Sequence, residues 1–351
     1  MNNLEYTNYN SQVRQMRILA EAALTYYNIG SARLALLSHH RNTLFRVTAL
    51  SRPGLSAEER GDDARFVLRL SDQTGPAVAM LQSELLWLSA IRAETQLVVP
   101  EPVPARKGAF VTEVAVEGIP EVRRCVLFRW VEGRFIDTGL TPALFERVGT
   151  FQARLHEQAS HFVSPPGFVR PQWDWAQLLG PATILDHNFV ARRCDGSIGK
   201  REQRIFVAAA TRIREEMRAI PDDKLQYGLI HADLQHTNYL FYKGEVRAID
   251  FDDCCWSYYL FDMAITLSDV AGREDENTMC QAFFKGYERI RPLPEYHITR
   301  LQIFTALYII KHLSSLFASE NPYIHANAPA YLAYSLKWLS QFAGVKVRRS
   351  S

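Results

Sequence analysis

Between residues 35 and 131, five short segments have the apolar pattern of β-strands. One of them, "RFVLRL", places Phe66, Leu68 and Leu70 on one face and Val67 and Arg69 on the other. The remaining segments are "ALLSHH" and "TLFRVTAL", which we expect to join across "HRN", and "FVTEVAV" and "RRCVLFRWV". This pattern predicts a five-stranded sheet.

One strong helix interrupts the series of strands. In "GPAVAMLQSELLWLSAIRAE", Leu81, Leu85 and Leu88 recur at helical spacing and form an apolar stripe. Glu84 falls at the edge of this stripe, where a carboxylate is costly unless it is paired. We expect it to pair with Arg69 on the preceding strand. A solvent-facing arginine and a surface glutamate are the alternative.

From about residue 141 the pattern becomes mainly helical. Asp174 is placed to cap a helix after a proline-rich connection, and "YLFYKGEVRAIDF" predicts a hairpin that turns at Lys243–Gly244. Helical periodicity returns at "YYLFDMAITL" and continues to the end. The sequence therefore predicts an α+β protein with a small β-rich lobe, a short connector and a larger helical lobe. A ligand is expected in the cleft between the lobes.

The composition narrows the functional class. The chain has 351 residues, 47% hydrophobic and 22% charged, with a net charge of +2, so it has no nucleic-acid footprint. Its N-terminus has no early apolar run, and "LQIFTALYIIKHLSSLF" contains Lys311 and His312 and is short for a membrane span. Five cysteines without C-x-x-C spacing are typical of reduced thiols. We expect a cytoplasmic protein without membrane or nucleic-acid partners.

The stretch "LIHADLQHTNYLF" contains the most specific chemistry. Asp233 and Asn238 lie five residues apart in a polar loop after an apolar run, and Asp250 follows the hairpin in "IDFDD". Phosphoryl transfer from ATP requires a carboxylate to receive the acceptor proton and oxygen ligands for Mg²⁺. We interpret Asp233 as the base, Asn238 and Asp250 as metal ligands, and His231 as structural. The alternative is a polar turn in which these side chains cap nearby backbone groups.

With these residues the sequence resembles the phosphotransferase enzyme family, which includes aminoglycoside phosphotransferases, choline kinases, homoserine kinases and stress-response kinases. "HADLQHTN" matches the H-G-D-x-x-x-x-N loop of that family, with Ala232 in place of glycine, and "IDFDD" matches its metal-binding strand. The resemblance implies a bilobal protein-kinase-like fold that uses ATP and Mg²⁺. Asp262, in "YYLFDMAITL", would have a structural role.

The resemblance also divides the chain and assigns its nucleotide contacts. Residues 1–128 would form the N-lobe, 129–134 the hinge and 135–351 the helical C-lobe. The backbone of Arg129, Trp130 and Val131 would bind adenine. Arg69, supported by Glu84, would hold the α- and β-phosphates.

Two departures from the family pattern concern the phosphate site. The cation on the third strand is arginine rather than lysine; arginine is always charged and binds phosphate through a planar fork. The first turn, "LSHHRNTLFRV", has no glycine, so we assign phosphate capping to backbone amides near Asn42 and Thr43.

The acceptor is predicted to be a small hydroxyl metabolite. Eleven residues separate Asp250 from Asp262, too few for a long regulatory activation segment. A slightly basic chain disfavours a polycationic aminoglycoside, so we favour an amino-acid-like compound or an amino alcohol. A protein Ser/Thr kinase of the stress-response type and a non-catalytic nucleotide-binding regulator are alternatives. Lys311, in an apolar helix, has either a buried anionic partner or a side chain that reaches solvent.

Overall fold

The computed structural model describes residues 3–39, 41–50, 64–71, 77–136, 138–181, 183–194, 196–220, 226–319 and 321–345, with the side chains of 3–8, 322 and 323 outside the description. The chain divides into two compact units. The first contains Met1–Arg134, Val163–Arg170 and Arg247–Asp252, and the second contains the rest.

The first unit is built on an antiparallel sheet. Its strands, as far as the structure describes them, are β1 (Ala32–His39), β2 (Asn42–Ala49), β3 (Arg65–Ser71), β4 (Pro102–Val103), β5 (Thr112–Val116) and β6 (Ile119–Arg129). They follow the order β1-β2-β3-β6-β4, and β5 also pairs with β6. The sheet thus has six strands rather than the five predicted. The additional strand, β4, is only two residues long, so it has no periodicity for a pattern to detect.

Two helices accompany this sheet. The first helix, α1 (Asn3–Leu24), was not predicted; its residues Met16, Leu19 and Ala20 are buried in one core with Phe45 and Phe66 of the sheet. The predicted helix is α2 (Val78–Glu94), in which Leu81, Leu85 and Leu88 are buried as the stripe required.

The second unit is mainly helical. Its helices, within the described residues, are α3 (Pro142–His161), α4 (Trp175–Leu178), α5 (His187–Arg193), α6 (Lys200–Arg218), α7 (Tyr259–Leu267), α8 (Glu276–Glu288), α9 (His297–Ala318), α10 (Pro322–His325) and α11 (Ala328–Phe342). Asp174 caps α4 by accepting a hydrogen bond from the Gln177 amide at 2.9 Å. That predicted cap is confirmed.

Four short strands flank the loop that contains Asp233 and the segment that contains Asp250. The strand β7 (Tyr227–Ile230) pairs with β10 (Cys255–Tyr258), and β8 (Tyr239–Tyr242) pairs with β9 (Glu245–Ala248). The turn of this hairpin is Lys243–Gly244, with φ of 48° and 84°. Positive φ at both central residues is the backbone that two-residue hairpins favour, so the predicted hairpin is confirmed.

The helix α9 contains the apolar stretch that carries Lys311. By length and composition alone it is sufficient to cross a membrane, but 61% of its most apolar window is buried inside the protein. It packs against α7, α6 and α11. These contacts are typical of the core helix of a globular unit.

Candidate active site

The first unit contains a buried ion pair between β3 and α2. Arg69 donates from its two terminal nitrogens to the two carboxylate oxygens of Glu84, at 2.9 and 2.7 Å, and both side chains are almost fully buried. Burial alone lowers the pKa of Arg69. The charge and hydrogen bonds of Glu84, with the nearby carboxylates of Asp252 and Asp250, outweigh it and raise that pKa. The guanidinium therefore remains charged inside the protein.

This guanidinium has donor capacity beyond the pair. The Nε of Arg69 is buried and has no hydrogen-bond partner among the described residues. A buried N–H without an acceptor is costly. An anionic group such as a nucleotide phosphate would satisfy it, so this residue fits the phosphate-binding role.

Two carboxylates follow β9 in the same unit. Asp250 has a left-handed backbone, with φ of 64°, a conformation that aspartate tolerates better than most residues. Asp252 accepts a hydrogen bond from the Asn42 side chain at 2.7 Å, and its backbone oxygen accepts one from Arg170 at 2.5 Å. Asn42 thus uses its side chain to bind Asp252. The sequence pattern gives Asp252 no role of its own, although it stands inside "IDFDD".

The segment after β6 was assigned to adenine. The amides of Arg129 and Trp130 donate to the carbonyl oxygens of Glu101 and Arg65, at 2.9 and 3.0 Å. These two amides are therefore engaged within the sheet region. Val131 follows in a stretch without regular secondary structure.

In the second unit the predicted catalytic loop begins directly after β7. The side-chain nitrogen of Asn238 donates to both the backbone oxygen and the carboxylate of Asp233, at 2.8 and 2.7 Å. The backbone amide of Asp233 donates to Nδ1 of His231 at 3.3 Å. The loop thus orients a half-buried carboxylate, and His231 contacts it through the backbone amide of Asp233. Because Asn238 uses its nitrogen here, its amide oxygen is the atom suited to a cation.

Ala232 gives this loop its bend. It is fully buried and has a φ of 66°, and its amide donates to the carboxylate of Asp262 at 2.7 Å. A positive φ is the reason that glycine suits this position. Asp262, in the first turn of α7, therefore fixes the loop by accepting a hydrogen bond from its backbone.

Asp262 is itself held by a residue that sequence reasoning missed. His156 of α3 donates from Nε2 to Asp262 at 2.8 Å, and its Nδ1 accepts from the Tyr287 hydroxyl at 2.9 Å. Burial lowers the pKa of His156, so the imidazole is neutral. Burial also acts to raise the pKa of Asp262, but the hydrogen bond that His156 donates lowers it overall, so the carboxylate stays ionised. A single histidine in an amphipathic helix gives no sequence signal for this contact.

The middle of the loop is attached to the helical core. Gln235 donates to the hydroxyl of Tyr308 on α9. The carboxylate of Asp269 bonds His236 at 2.9 Å and accepts from the Tyr239 hydroxyl at 3.0 Å. Asp269 and Tyr308 therefore hold the part of the loop that follows Asp233, although neither lies in a recognisable motif.

The predicted site residues thus fall into two groups. In the first unit, Asp252 lies beside the ion pair of Arg69 and Glu84 and binds Asn42, and Asp250 adds its charge to the same cluster. In the second unit are His231, Asp233, Asn238 and Asp262. Within the described residues, no group of three or more His, Cys, Asp or Glu side chains could hold a metal. Mg²⁺ usually needs only one or two protein oxygens in addition to nucleotide phosphates, and the amide oxygen of Asn238 and the carboxylate of Asp250 are both ligand types that it accepts.

Comparison with known families matches residues 55–301 to the phosphotransferase enzyme family. The chain belongs to this family. The predicted family, the α+β protein-kinase-like fold and the assignment as a kinase are confirmed.

Relatives of this phosphotransferase include kinases of small molecules. It is 23% identical to an amicoumacin kinase of Bacillus subtilis (strain 168) over 256 residues, 72% of this chain and 68% of that protein. Its fold is similar to that of a microcompartment-associated aminopropanol kinase, with a TM-score of 0.77, 26% identity, and coverage of 94% and 99% of the two chains. The amicoumacin kinase hAmiN, solved with AMP-PNP, Ca²⁺ and Ami, gives a TM-score of 0.72 at 18% identity, covering 92% and 93%.

Proposed function

We propose that this phosphotransferase transfers the γ-phosphate of ATP to a hydroxyl of a small metabolite that also carries an amine. The observation that carries the proposal is the orientation of the Asp233 carboxylate by Asn238 in a loop fixed by Asp262. An oriented, half-buried carboxylate is the group that this reaction requires as its base. Family membership supports the same chemistry.

In the proposed step, the acceptor oxygen attacks the γ-phosphorus of ATP. A bond forms between that oxygen and phosphorus, the bond to the β,γ-bridging oxygen breaks, and ADP leaves. The hydroxyl proton passes to the carboxylate of Asp233. Asn238 and Asp250 would hold Mg²⁺, which when bound neutralises charge on the phosphates.

The nucleotide contacts follow from the same proposal. Arg69 binds the α- and β-phosphates, and Glu84 positions it through their paired hydrogen bonds. Asn42 lies at the start of β2, where backbone amides near it cap the phosphates. Adenine is assigned to the backbone of Arg129, Trp130 and Val131, with Val131 favoured because the other two amides are engaged.

The domain division, location and acceptor class belong to this proposal. Residues 1–128 are assigned to the nucleotide, 129–134 to the hinge and 135–351 to catalysis and acceptor binding, in a cytoplasmic protein. An amine on the acceptor is supported by the similarity to the aminopropanol kinase. Because a slightly basic chain disfavours a polycation, amino-acid-like compounds and amino alcohols are favoured over aminoglycosides.

A screen of acceptors tests this function. Purified protein with ATP and Mg²⁺ is incubated with hydroxy amino acids, amino alcohols, sugars, aminoglycosides and a denatured protein, with Asp233→Asn as the blank. We expect ADP formation that depends on an amine-bearing small molecule and a phosphorylated product by mass spectrometry. Phosphorylation of the protein alone would overturn the proposal in favour of a protein kinase. ATP binding without transfer to any acceptor would indicate a regulator.

A further inference from the structure

Lys311 of α9 lies at an unusual place for a lysine. Its side chain is only 21% exposed, its Nζ lies 3.9 Å from the centroid of the Trp173 ring, and the same nitrogen is 3.9 Å from a carboxylate oxygen of Asp253. Trp173 holds the ammonium by a cation–π contact. All three residues belong to the second unit.

The described residues leave the hydrogen-bonding capacity of this ammonium unused. A lysine ammonium has three N–H donors, and 3.9 Å to Asp253 exceeds hydrogen-bond distance. Within the part of the chain that the structure describes, Nζ of Lys311 has no acceptor at hydrogen-bond distance. A half-buried ammonium in this state can bind an anion that supplies hydrogen-bond acceptors.

The position of Lys311 connects it to the catalytic loop. Tyr308 precedes it by three residues, so both side chains lie on the same face of α9. The hydroxyl of Tyr308 accepts a hydrogen bond from Gln235, two residues after Asp233. Burial raises the pKa of Tyr308, and the nearby charge of Asp233 contributes to this rise. The face of the helix that presents Lys311 is thus the face that meets the loop of Asp233.

We propose that Lys311 binds a carboxylate of the acceptor, so that the acceptor is a hydroxy α-amino acid rather than an amino alcohol. This inference rests on the proposed function. Lys311 and Asp253 present opposite charges 3.9 Å apart, which match a zwitterion whose carboxylate and ammonium are attached to one carbon. The ammonium of an amino alcohol could meet Asp253, but such an acceptor would leave Lys311 without the hydrogen-bond acceptors that a carboxylate supplies.

Three matched acceptor pairs test this inference, each an amino acid and its decarboxylated counterpart: serine and ethanolamine, homoserine and 3-amino-1-propanol, threonine and 1-amino-2-propanol. For the wild-type protein we expect kcat/KM to be higher for the amino acid of the pair that is used. Lys311→Met should lower the ratio of kcat/KM between amino acid and amino alcohol roughly 10- to 100-fold, mainly through KM. Lys311→Arg should retain most of the preference.

Lys285→Met is the matched control, because Lys285 is 66% exposed and pairs with Glu146 on the surface. It should leave the ratio unchanged. Equal or better use of the amino alcohols by the wild-type protein would overturn the inference while the proposed function stands. An equal fall for both members in Lys311→Met would also overturn it. If Lys311→Met fails to fold, the preference of the wild-type protein for the amino acid over the amino alcohol decides whether the inference holds. Phosphorylation of no small hydroxyl compound would contradict the proposed function itself.

Discussion

At the scale of single residues, the buried pair of Arg69 and Glu84 costs desolvation free energy and keeps a guanidinium charged inside the protein. Both side chains are almost fully removed from water, which is expensive for charges. The two short hydrogen bonds between them offset part of this cost. The Nε of Arg69 has no hydrogen-bond acceptor among the described residues. The pair therefore holds a cation with a free N–H donor inside the protein, which suits the phosphate-binding role proposed for Arg69.

Arg69→Met should destabilise the protein by about 3–5 kcal/mol, because Glu84 is left as an uncompensated buried charge. The double variant Arg69→Met, Glu84→Leu should recover most of this loss, since two apolar side chains replace the pair. Urea unfolding of the single and double variants measures both effects. A double variant as unstable as the single one would contradict this account. The recovered double variant should still bind ATP poorly.

Ala232 adopts the backbone conformation that glycine prefers. Its left-handed φ costs about 1–2 kcal/mol, which Ala232→Gly relieves. That gain offsets two costs of about 0.5–1 kcal/mol each: the loss of the buried methyl group, and the greater conformational entropy of glycine in the unfolded chain. The unfolding free energy should change by less than about 1 kcal/mol.

The control is Ala248→Gly, at a buried alanine without a positive φ. This variant relieves no backbone strain, so it should lower the unfolding free energy by about 1.5 kcal/mol. Thermal or urea unfolding compares the two variants. If Ala232→Gly is as destabilising as Ala248→Gly, the strain assigned to Ala232 is absent.

At the scale of elements, α3 and α8 approach each other through glycines. A Cβ at Gly149 would lie 2.1 Å from the carbonyl oxygen of Phe283, and one at Gly286 would lie 1.9 Å from that of Glu146. The hydroxyl of Thr150 donates to the carbonyl oxygens of Glu146 and Gly286 in the same region. Because α3 also carries His156, this close packing supports the contact that fixes Asp262.

Gly286→Ala should therefore destabilise the protein by about 3 kcal/mol or more, although alanine is the better helix former by about 1 kcal/mol. The methyl group would meet backbone atoms that cannot move without separating the helices. Thr211→Ala on the exposed face of α6 is a control that should change stability by less than about 1 kcal/mol. Unfolding by urea distinguishes the two. A neutral Gly286→Ala would show that α3 and α8 are further apart than described.

Elements with a strong local signal could be predicted from the sequence. The stripe of α2, the Asp174 cap and the Lys243–Gly244 turn each depend on residues within a few positions of one another. The helix α1 was missed because its polar and apolar residues are mixed, and only the core of the sheet reveals which side is buried. The strand β4 was missed because its pairing with β6, not its composition, defines it.

At the scale of the whole molecule, buried histidines link stability to pH. Burial, helped by the charge of Lys311, lowers the pKa of His312 to about 4, and burial also lowers the pKa of His156. At a pH between the lowered pKa of each histidine and its ordinary pKa near 6.5, that histidine is protonated in the unfolded chain and neutral in the folded one. Their stabilising effect is therefore complete above pH 6.5 and is lost as pH falls.

From His312 alone, the unfolding free energy should fall by about 3 kcal/mol between pH 7 and pH 4. Urea midpoints at pH 7.5, 6 and 5 measure the decline, and His312→Phe should make it shallower. His161→Gln, at a histidine on the surface, is the control and should leave the slope unchanged. A midpoint that does not vary over this range would contradict the prediction.

The candidate site could be predicted where its residues are close in sequence. Asp233 and Asn238 form one loop, and Asp250 follows after a short hairpin. The supporting contacts could not be predicted, because Asn42 meets Asp252 across 210 residues and His156 meets Asp262 across 106. Only the folded chain brings such residues together, and their side chains have no spacing that a pattern could detect.

The most direct test of the central claim is the turnover of Asp233→Asn with the acceptor identified by the screen. If Asp233 receives the hydroxyl proton, kcat should fall by about 10²- to 10⁴-fold while the Kd for ATP, measured by calorimetry, stays within about a factor of two. His161→Gln should have wild-type values of both. A kcat near that of the wild-type protein in Asp233→Asn would contradict the role of Asp233 as the base.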